Sequence, residues 1–234
     1  MKYKRILLKI SGESLAGEDQ KGINTDMLRY FASEIRSIYQ QGVQIGIVIG
    51  GGNIFRGLQG ASEGFERVQG DYMGMLATVI NSMALQGELE ATGVKTVVLS
   101  GLAVDPVCEK MSSRRAIQYL ESGHVVMIAS GTGNPYFTTD SGGALRSVEI
   151  KANALLKGTR VDGVYNKDPE KHIDAIKYNT ISFDEAYQKG LNIMDLTAFT
   201  LCKENNMPII VFDMNTKGNL EKIIKGENIG TLIY

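Results

Sequence analysis

From residue 43 to residue 57 the chain reads Val-Gln-Ile-Gly-Ile-Val-Ile-Gly-Gly-Gly-Asn-Ile-Phe-Arg-Gly. The mostly β-branched apolar residues at its start suit a strand buried on both faces, and such strands belong to parallel sheets covered by helices. Gly50, Gly51 and Gly52 follow at once. Glycine can adopt φ > 0 and carries no Cβ, so a bulky anion such as phosphate can lie directly on the main-chain N–H groups. Arg56 places a fixed charge at the edge of that loop. A tight strand-to-helix turn would use the same glycines; the arginine close behind them favours phosphate.

Apolar runs of the same kind recur at residues 6–10, 43–49, 96–99, 124–129, 154–157 and 208–212, with helical periodicity between them. Asn24 or Thr25 can cap a helix that carries Leu28, Phe31, Ile35, Ile38 and Tyr39 on one face and closes at Gly42. A second helix is expected from about Asp71 to Thr92 and a third from Ser112 or Ser113 to Gly123. A fourth follows Thr138 or Thr139, and a fifth follows Asp195. This alternation predicts an α/β fold, a three-layer αβα sandwich with a mainly parallel central sheet. The chain of 234 residues can bury a full core and is expected to be one domain. Residues 183–190, 220–226 and 231–234 would form a smaller lobe of the same sheet.

Ligands of such sheets sit beyond the carboxyl ends of the strands. Those ends read Ser11-Gly12-Glu13, Gly50-Gly51-Gly52, Ser100-Gly101, Ser130-Gly131-Thr132-Gly133-Asn134-Pro135 and Gly158-Thr159-Arg160. All are small, polar and glycine-rich, as an extended nucleotide-sized cleft requires. Neither G-x-x-x-x-G-K-[ST] nor a G-x-G-x-x-G after the first strand occurs, which argues against a P-loop nucleotidase and a dinucleotide dehydrogenase. A net charge of −1 gives no global reason to expect nucleic acid or an anionic membrane as partner. With only His124 and His172, and with Cys108 and Cys202 far apart, neither a histidine triad nor a protein-held metal site is expected. The cysteines suit reduced thiols in a cytoplasmic protein, and the basic start around Lys2, Lys4 and Arg5 is too short in apolar residues for a leader or a membrane span. Lys9 ends the first strand, so its side chain either snorkels to the surface or points into the cleft; the neighbouring Gly12 favours the cleft.

The motifs Lys9-Ile10-Ser11-Gly12-Glu13, Gly50-Gly51-Gly52-Asn53 and Val161-Asp162-Gly163-Val164-Tyr165, with Asp168-Pro169, resemble the amino acid kinase superfamily. Within it, Gly70-Asp71-Tyr72-Met73-Gly74-Met75-Leu76-Ala77-Thr78 and Gly131-Thr132-Gly133-Asn134-Pro135-Tyr136-Phe137-Thr138-Thr139-Asp140 are similar to the bacterial uridylate kinase family, as is Met194-Asp195-Leu196-Thr197-Ala198-Phe199-Thr200. The resemblance runs from Tyr3 to Thr231. It implies transfer of the γ-phosphoryl group of Mg-ATP to UMP, giving UDP and ADP for pyrimidine nucleotide (CTP) synthesis. It places Lys9, Ile10, Ser11, Gly12, Gly52, Arg56, Thr159, Tyr165 and Asp168 at ATP. Gly51, Asp71 and the run Thr132, Gly133, Asn134, Pro135, Tyr136, Phe137, Thr138, Thr139 fall at UMP. The N-terminal part would thus mainly bind UMP and the C-terminal part mainly ATP. Lys9 and Arg56, with Mg²⁺ on the ATP phosphates, would stabilise the transferring group, and Asp140 would hold Lys9.

These roles agree with physical chemistry. A phosphate monoester loses its second proton near pH ~6, so an anionic acceptor needs no general base and the scarcity of histidine fits. Asp71 accepts hydrogen bonds only and suits ribose hydroxyls; its plain structural role would be to cap the helix that follows. Asp140 could likewise serve only the helix dipole, and Tyr165 could pack on adenine or in the core.

The family's loop for GTP activation falls on Gly17, Glu18, Asp19, Gln20, Lys21 and Gly22, but the basic residues that assist it elsewhere are replaced here by Gln86-Gly87-Glu88-Leu89-Glu90. UTP is the inhibitor that the resemblance implies. Asn153 stands where many relatives have Asp and is expected to affect packing or solubility. A carbamate or acylphosphate kinase on the same fold is disfavoured by the run 132–140. A non-catalytic regulator would be expected to lack Lys9 or Arg56. Finally, the second helix carries no Asp, Glu, Lys or Arg from Tyr72 to Gly87. A helix apolar nearly all round needs cover on both sides, which predicts an isologous dimer, with Val79 as an outward position, and by resemblance a homohexamer of three dimers.

Overall fold

The computed structural model describes residues 1–19, 21–56 and 64–234; Gln20 of the expected effector loop lies outside the described residues. The strands are β1 (Arg5–Ile10), β2 (Gln44–Ile49), β3 (Thr96–Ser100), β4 (Glu109–Lys110), β5 (Val125–Ala129), β6 (Ala154–Thr159), β7 (Val164–Tyr165), β8 (Lys177–Tyr178), β9 (Thr180–Ile181), β10 (Ile209–Asp213) and β11 (Thr231–Ile233). The helices are α1 (Thr25–Tyr39), α2 (Arg67–Ala91), α3 (Ser113–Glu121), α4 (Thr139–Glu149), α5 (Phe183–Gln188), α6 (Leu196–Glu204) and α7 (Asn219–Lys225). Among the described residues nine strands form one sheet in the order β4-β3-β5-β2-β1-β6-β10-β11-β9, parallel except at β10–β11, and β7 pairs with β8 as a separate antiparallel hairpin.

The side-chain period of two divides the core. Ile6, Leu8 and Ile10 of β1, with Ile45, Ile47 and Ile49 of β2, face α1, α2 and α7. Leu7 and Val48 face the opposite way, toward α3, α4, α5 and α6. Helices thus cover both faces, and the centre of the sheet reads as continuous apolar runs because neither face meets water. Every large side chain from Ile45 to Ile49 is at most 2% exposed.

The local signals account for most boundaries. Asn24 caps α1 by accepting from the N–H groups of Asp26 and Met27, and Ser112, Thr138 and Asp195 cap α3, α4 and α6 in the same way. Gly42, Gly93 and Gly123 follow α1, α2 and α3 with φ of +82°, +81° and +81°, a conformation that costs glycine nothing. Asn153 has a packing role, since its Oδ1 accepts from the N–H groups of both Lys4 and Arg5 at 2.9 Å and anchors the start of β1.

The second helix begins earlier than expected. It starts at Arg67, capped by the Glu66 carboxylate on the N–H of Gln69, so Asp71 lies inside the helix and is not its cap. Outward and inward positions on it also differ from expectation. Tyr72, Leu76, Ile80 and Met83 form the exposed stripe at 40–49%, whereas Val79 is 3% exposed and belongs to the core. An apolar pattern all round leaves the rotation of a helix about its axis undetermined, and packing against the sheet decides it.

Candidate active site

Lys9 and Lys157 stand directly opposite each other on neighbouring strands β1 and β6. Both face α4, whose first turn presents Asp140 between them. Lys9 Nζ lies 3.0 Å from Asp140 Oδ1 and Lys157 Nζ 2.7 Å from Oδ2, with all three side chains at most 15% exposed. Lys157 also donates to the carbonyl of Ile193 at 2.5 Å. The close approach of α4 depends on Gly142. A Cβ at Gly142 would come within 2.9 Å of Gly131 Cα, whereas one at Gly143 would make only an ordinary contact with Val48 at 3.5 Å.

Two ammonium groups close on the Asp140 carboxylate, and the Asp195 carboxylate is near enough to act on Lys157 as well. Burial is the largest influence on the Asp140 carboxyl and raises its pKa, but Lys9 and Lys157 together outweigh it and hold the group below its ordinary range. Burial is also the largest influence on Lys157 and lowers its pKa; Lys9 adds to this and Asp140 opposes it. Lys157 was missed from sequence, although a lysine inside the apolar strand Ala-Leu-Leu-Lys-Gly-Thr was the available signal.

Beyond these strand ends opens a cleft of ≈ 1600 Å³, lined on the expected donor side by Lys9, Ser11, Gly52, Arg56 and Thr159. Gly12 lies beneath it against Gly50, where a Cβ would sit 2.3 Å from the Gly50 carbonyl oxygen. Ile10 is 1% exposed, so only its main chain can reach a ligand. Arg56 forms an ion pair with Glu13, and both side chains remain nearly half exposed at the mouth. Tyr165 and Asp168 stand outside that lining, on and just after β7. The Tyr165 hydroxyl bonds Asp162 Oδ1 at 2.5 Å and its pKa is pushed up to about 12, by that bond first and by burial second. Asp168 is exposed and accepts from the N–H of Glu170.

The three glycines do not need positive φ. None of Gly50, Gly51 and Gly52 has it; their requirement is close approach. A Cβ at Gly51 would meet the Gly74 carbonyl oxygen at 2.7 Å and Ala77 Cβ at 2.9 Å on α2. The N–H of Gly50 is spent on the Ile10 carbonyl, while those of Gly51 and Gly52 donate to no other described residue. That leaves two main-chain donors for an anion.

Of the residues expected at the acceptor, Gly51 and Tyr136 meet the first half of α2. Asp71 Oδ2 accepts from the N–H of Tyr136 and from Arg67 Nε, both at 2.8 Å, and the Arg67 guanidinium lies 5.3 Å from the Tyr136 ring centre. Thr132 Oγ1 folds back on Asn134, and Gly133 packs on Gly101. Tyr136 and Phe137 project outward at 66% and 49% exposure. The Thr138 side chain is occupied as the cap of α4 and donates to Asp195, which also accepts from Ser141 Oγ at 2.9 Å. Arg146, buried, grips the Gly131 carbonyl with Nε and Nη2 at 3.0 and 2.8 Å. Arg67 lies ahead of the expected start of the second helix and Arg146 inside the fourth, so neither carried a signal of its own; Asp195 stood in the Met194–Thr200 motif and at the expected start of the fifth helix.

The model of the amino acid kinase family matches residues 4–213. The chain belongs to the amino acid kinase family. It is 60% identical to the uridylate kinase of Parabacteroides distasonis over 99% of this chain and 98% of that protein. It is 59% identical to the uridylate kinase of Bacteroides thetaiotaomicron over 100% and 99%. The crystal structure of UMP kinase from Bacillus anthracis superposes with a TM-score of 0.96 at 36% identity, covering 99% of this chain and 96% of that one. UMP kinase from Ureaplasma parvum gives 0.93 at 35%, covering 100% and 99%. The expected αβα sandwich is therefore the fold of this family member.

Proposed function

We propose that this amino acid kinase is a uridylate kinase that transfers the γ-phosphoryl group of Mg-ATP to UMP, reversibly, in pyrimidine nucleotide synthesis. The observation that carries the reading is identity near 60% across the whole chain to proteins named uridylate kinase. The geometry supplies a rationale. The acceptor phosphate is already anionic, so the chain must provide positive charge and alignment rather than a base. Lys9 and Lys157, cross-braced by Asp140, hold fixed ammonium groups where the donor phosphates end. Arg56 exchanges Glu13 for phosphate when the nucleotide enters, and the Gly51 and Gly52 N–H groups serve as further donors. Mg²⁺ enters as part of the substrate, on the ATP phosphates. Thr159, Tyr165 and Asp168 belong to the nucleoside end of ATP. Asp71 and residues 132–139 take UMP, with Arg67 restraining Asp71.

The proposal extends to one domain with UMP handled mainly by its N-terminal part, a cytoplasmic location, GTP activation through Gly17, Glu18, Asp19, Lys21 and Gly22, and UTP inhibition. No helix among the described residues is long and apolar enough to cross a membrane. The exposed stripe Tyr72, Leu76, Ile80 and Met83 would pair two copies, and three pairs would make the hexamer. Coupled ADP release with UMP, CMP, dUMP, carbamate and acetylglutamate as acceptors tests the reading. UMP is expected to be strongly preferred, and equal rates with UMP and CMP would refute the acceptor assignment.

A further inference from the structure

Asn53 and Asn81 are buried polar residues to which the mechanism above gives no part, at 4% and 0% exposure. Their amides bond reciprocally, Asn81 Nδ2 to Asn53 Oδ1 at 2.7 Å and Asn53 Nδ2 to Asn81 Oδ1 at 3.0 Å. Asn81, on α2, also holds the carbonyl of Gly50 at 2.7 Å. Asn53 grips Gly22 from both sides, since its Nδ2 donates to the Gly22 carbonyl at 2.7 Å and its own carbonyl accepts from the Gly22 N–H at 2.9 Å. The segment that begins at Gly17 is also held at its neck, where the Asn24 N–H bonds the Leu15 carbonyl at 2.7 Å and Gly17 packs on the Asn24 side chain. Gly17, Glu18, Lys21 and Gly22 line the same cleft as Lys9 and Thr159.

We propose that Asn53, oriented by Asn81, is a positioning residue that docks the segment around Gly22 as a wall of the donor-nucleotide cleft. The wall and the glycine loop then move as one body, because a single amide pair holds Gly22 and Gly50 together. Buried amides with every partner satisfied act as such a brace, since breaking one bond strands the others away from water. Lys21 is thereby held over the space that the donor phosphates enter. The inference rests on the donor-site reading above but assigns the segment to the cleft of its own chain.

Trypsin cleavage after Lys21 and hydrogen exchange of the Gly22 amide read the docking directly, in the wild-type chain. ADP is expected to slow both and UMP alone to leave both unchanged; protection by UMP and not by ADP would overturn the proposal. Asn53→Ala, or the isosteric Asn53→Asp if the first does not fold, is expected to speed exchange at Gly22 and raise the ATP KM about tenfold, as loss of the side-chain hydrogen bond to the Gly22 carbonyl implies, with the UMP KM within about twofold. Both KM values rising together with a lowered Tm would mean a merely structural residue, and unchanged exchange at Gly22 would also refute the docking. Should wild-type chain fail to phosphorylate UMP while ADP still protects Lys21, the acceptor reading fails and this inference stands; the reverse result fails this inference alone.

Discussion

At the scale of single residues, the lysine–aspartate–lysine group decides what the site can do. Removing either ammonium removes charge stabilisation at the transfer step, so Lys9→Met and Lys157→Met are each expected to lower kcat about a hundredfold in the coupled assay. Arg56→Ala is expected to do the same, with a larger rise in the ATP KM because Arg56 is exposed and meets the nucleotide first. The Asp140 carboxyl is held below its ordinary 3.8 by its lysines. A carboxyl with a depressed folded-state pKa adds stability that is fully present above the unfolded value and is lost as pH falls through the folded one. Unfolding titrations should therefore show wild type losing stability below about pH 4 more steeply than Asp140→Asn; parallel curves would show that the pair contributes nothing net. Lys9 and Asp140 were legible in the sequence because each sits at a motif. Lys157 was not, because its role depends on the register that sets it opposite Lys9, 148 positions earlier in the chain.

At the scale of elements, the site depends on how tightly helices close on strand ends. Asp195 caps α6 and, with the same carboxylate, takes the hydroxyls of Thr138 and Ser141 on α4. Asp195→Ala is expected to cost about 1 kcal/mol for the cap alone and more for the two stranded hydroxyls, read as a shift of the urea midpoint. Because α4 carries Asp140, the same variant should lower kcat as well. Helix starts and stops were legible where a capping side chain or a left-handed glycine marks them, since both signals are local. The start of α2 was not, because Glu66 caps it with the longer carboxylate side chain, a residue type outside the usual capping set. Short strands β4, β7, β8 and β9 were missed for a related reason: at two residues each they carry no periodicity.

At the scale of the whole molecule, the face of α2 decides assembly. Ile80→Glu places charge on the exposed stripe and is expected to reduce the light-scattering mass to one chain of 25.5 kDa while leaving the urea midpoint nearly unchanged. Val79→Glu buries a charge in the core and should unfold the chain instead. A wild-type mass of one chain at micromolar concentration would overturn the proposed dimer. The sequence by itself determined the alternation of strands and helices, their caps and glycine stops, and the polar glycine-rich strand ends that line the cleft, because periodicity and backbone preference act over a few residues. Only the tertiary structure decided which face of α2 is buried, why Gly51 must be glycine, and how Lys157, Arg67 and the Asn53–Asn81 pair reach the site. Those depend on register, helix rotation and close approach between segments far apart in the chain, which no local pattern encodes.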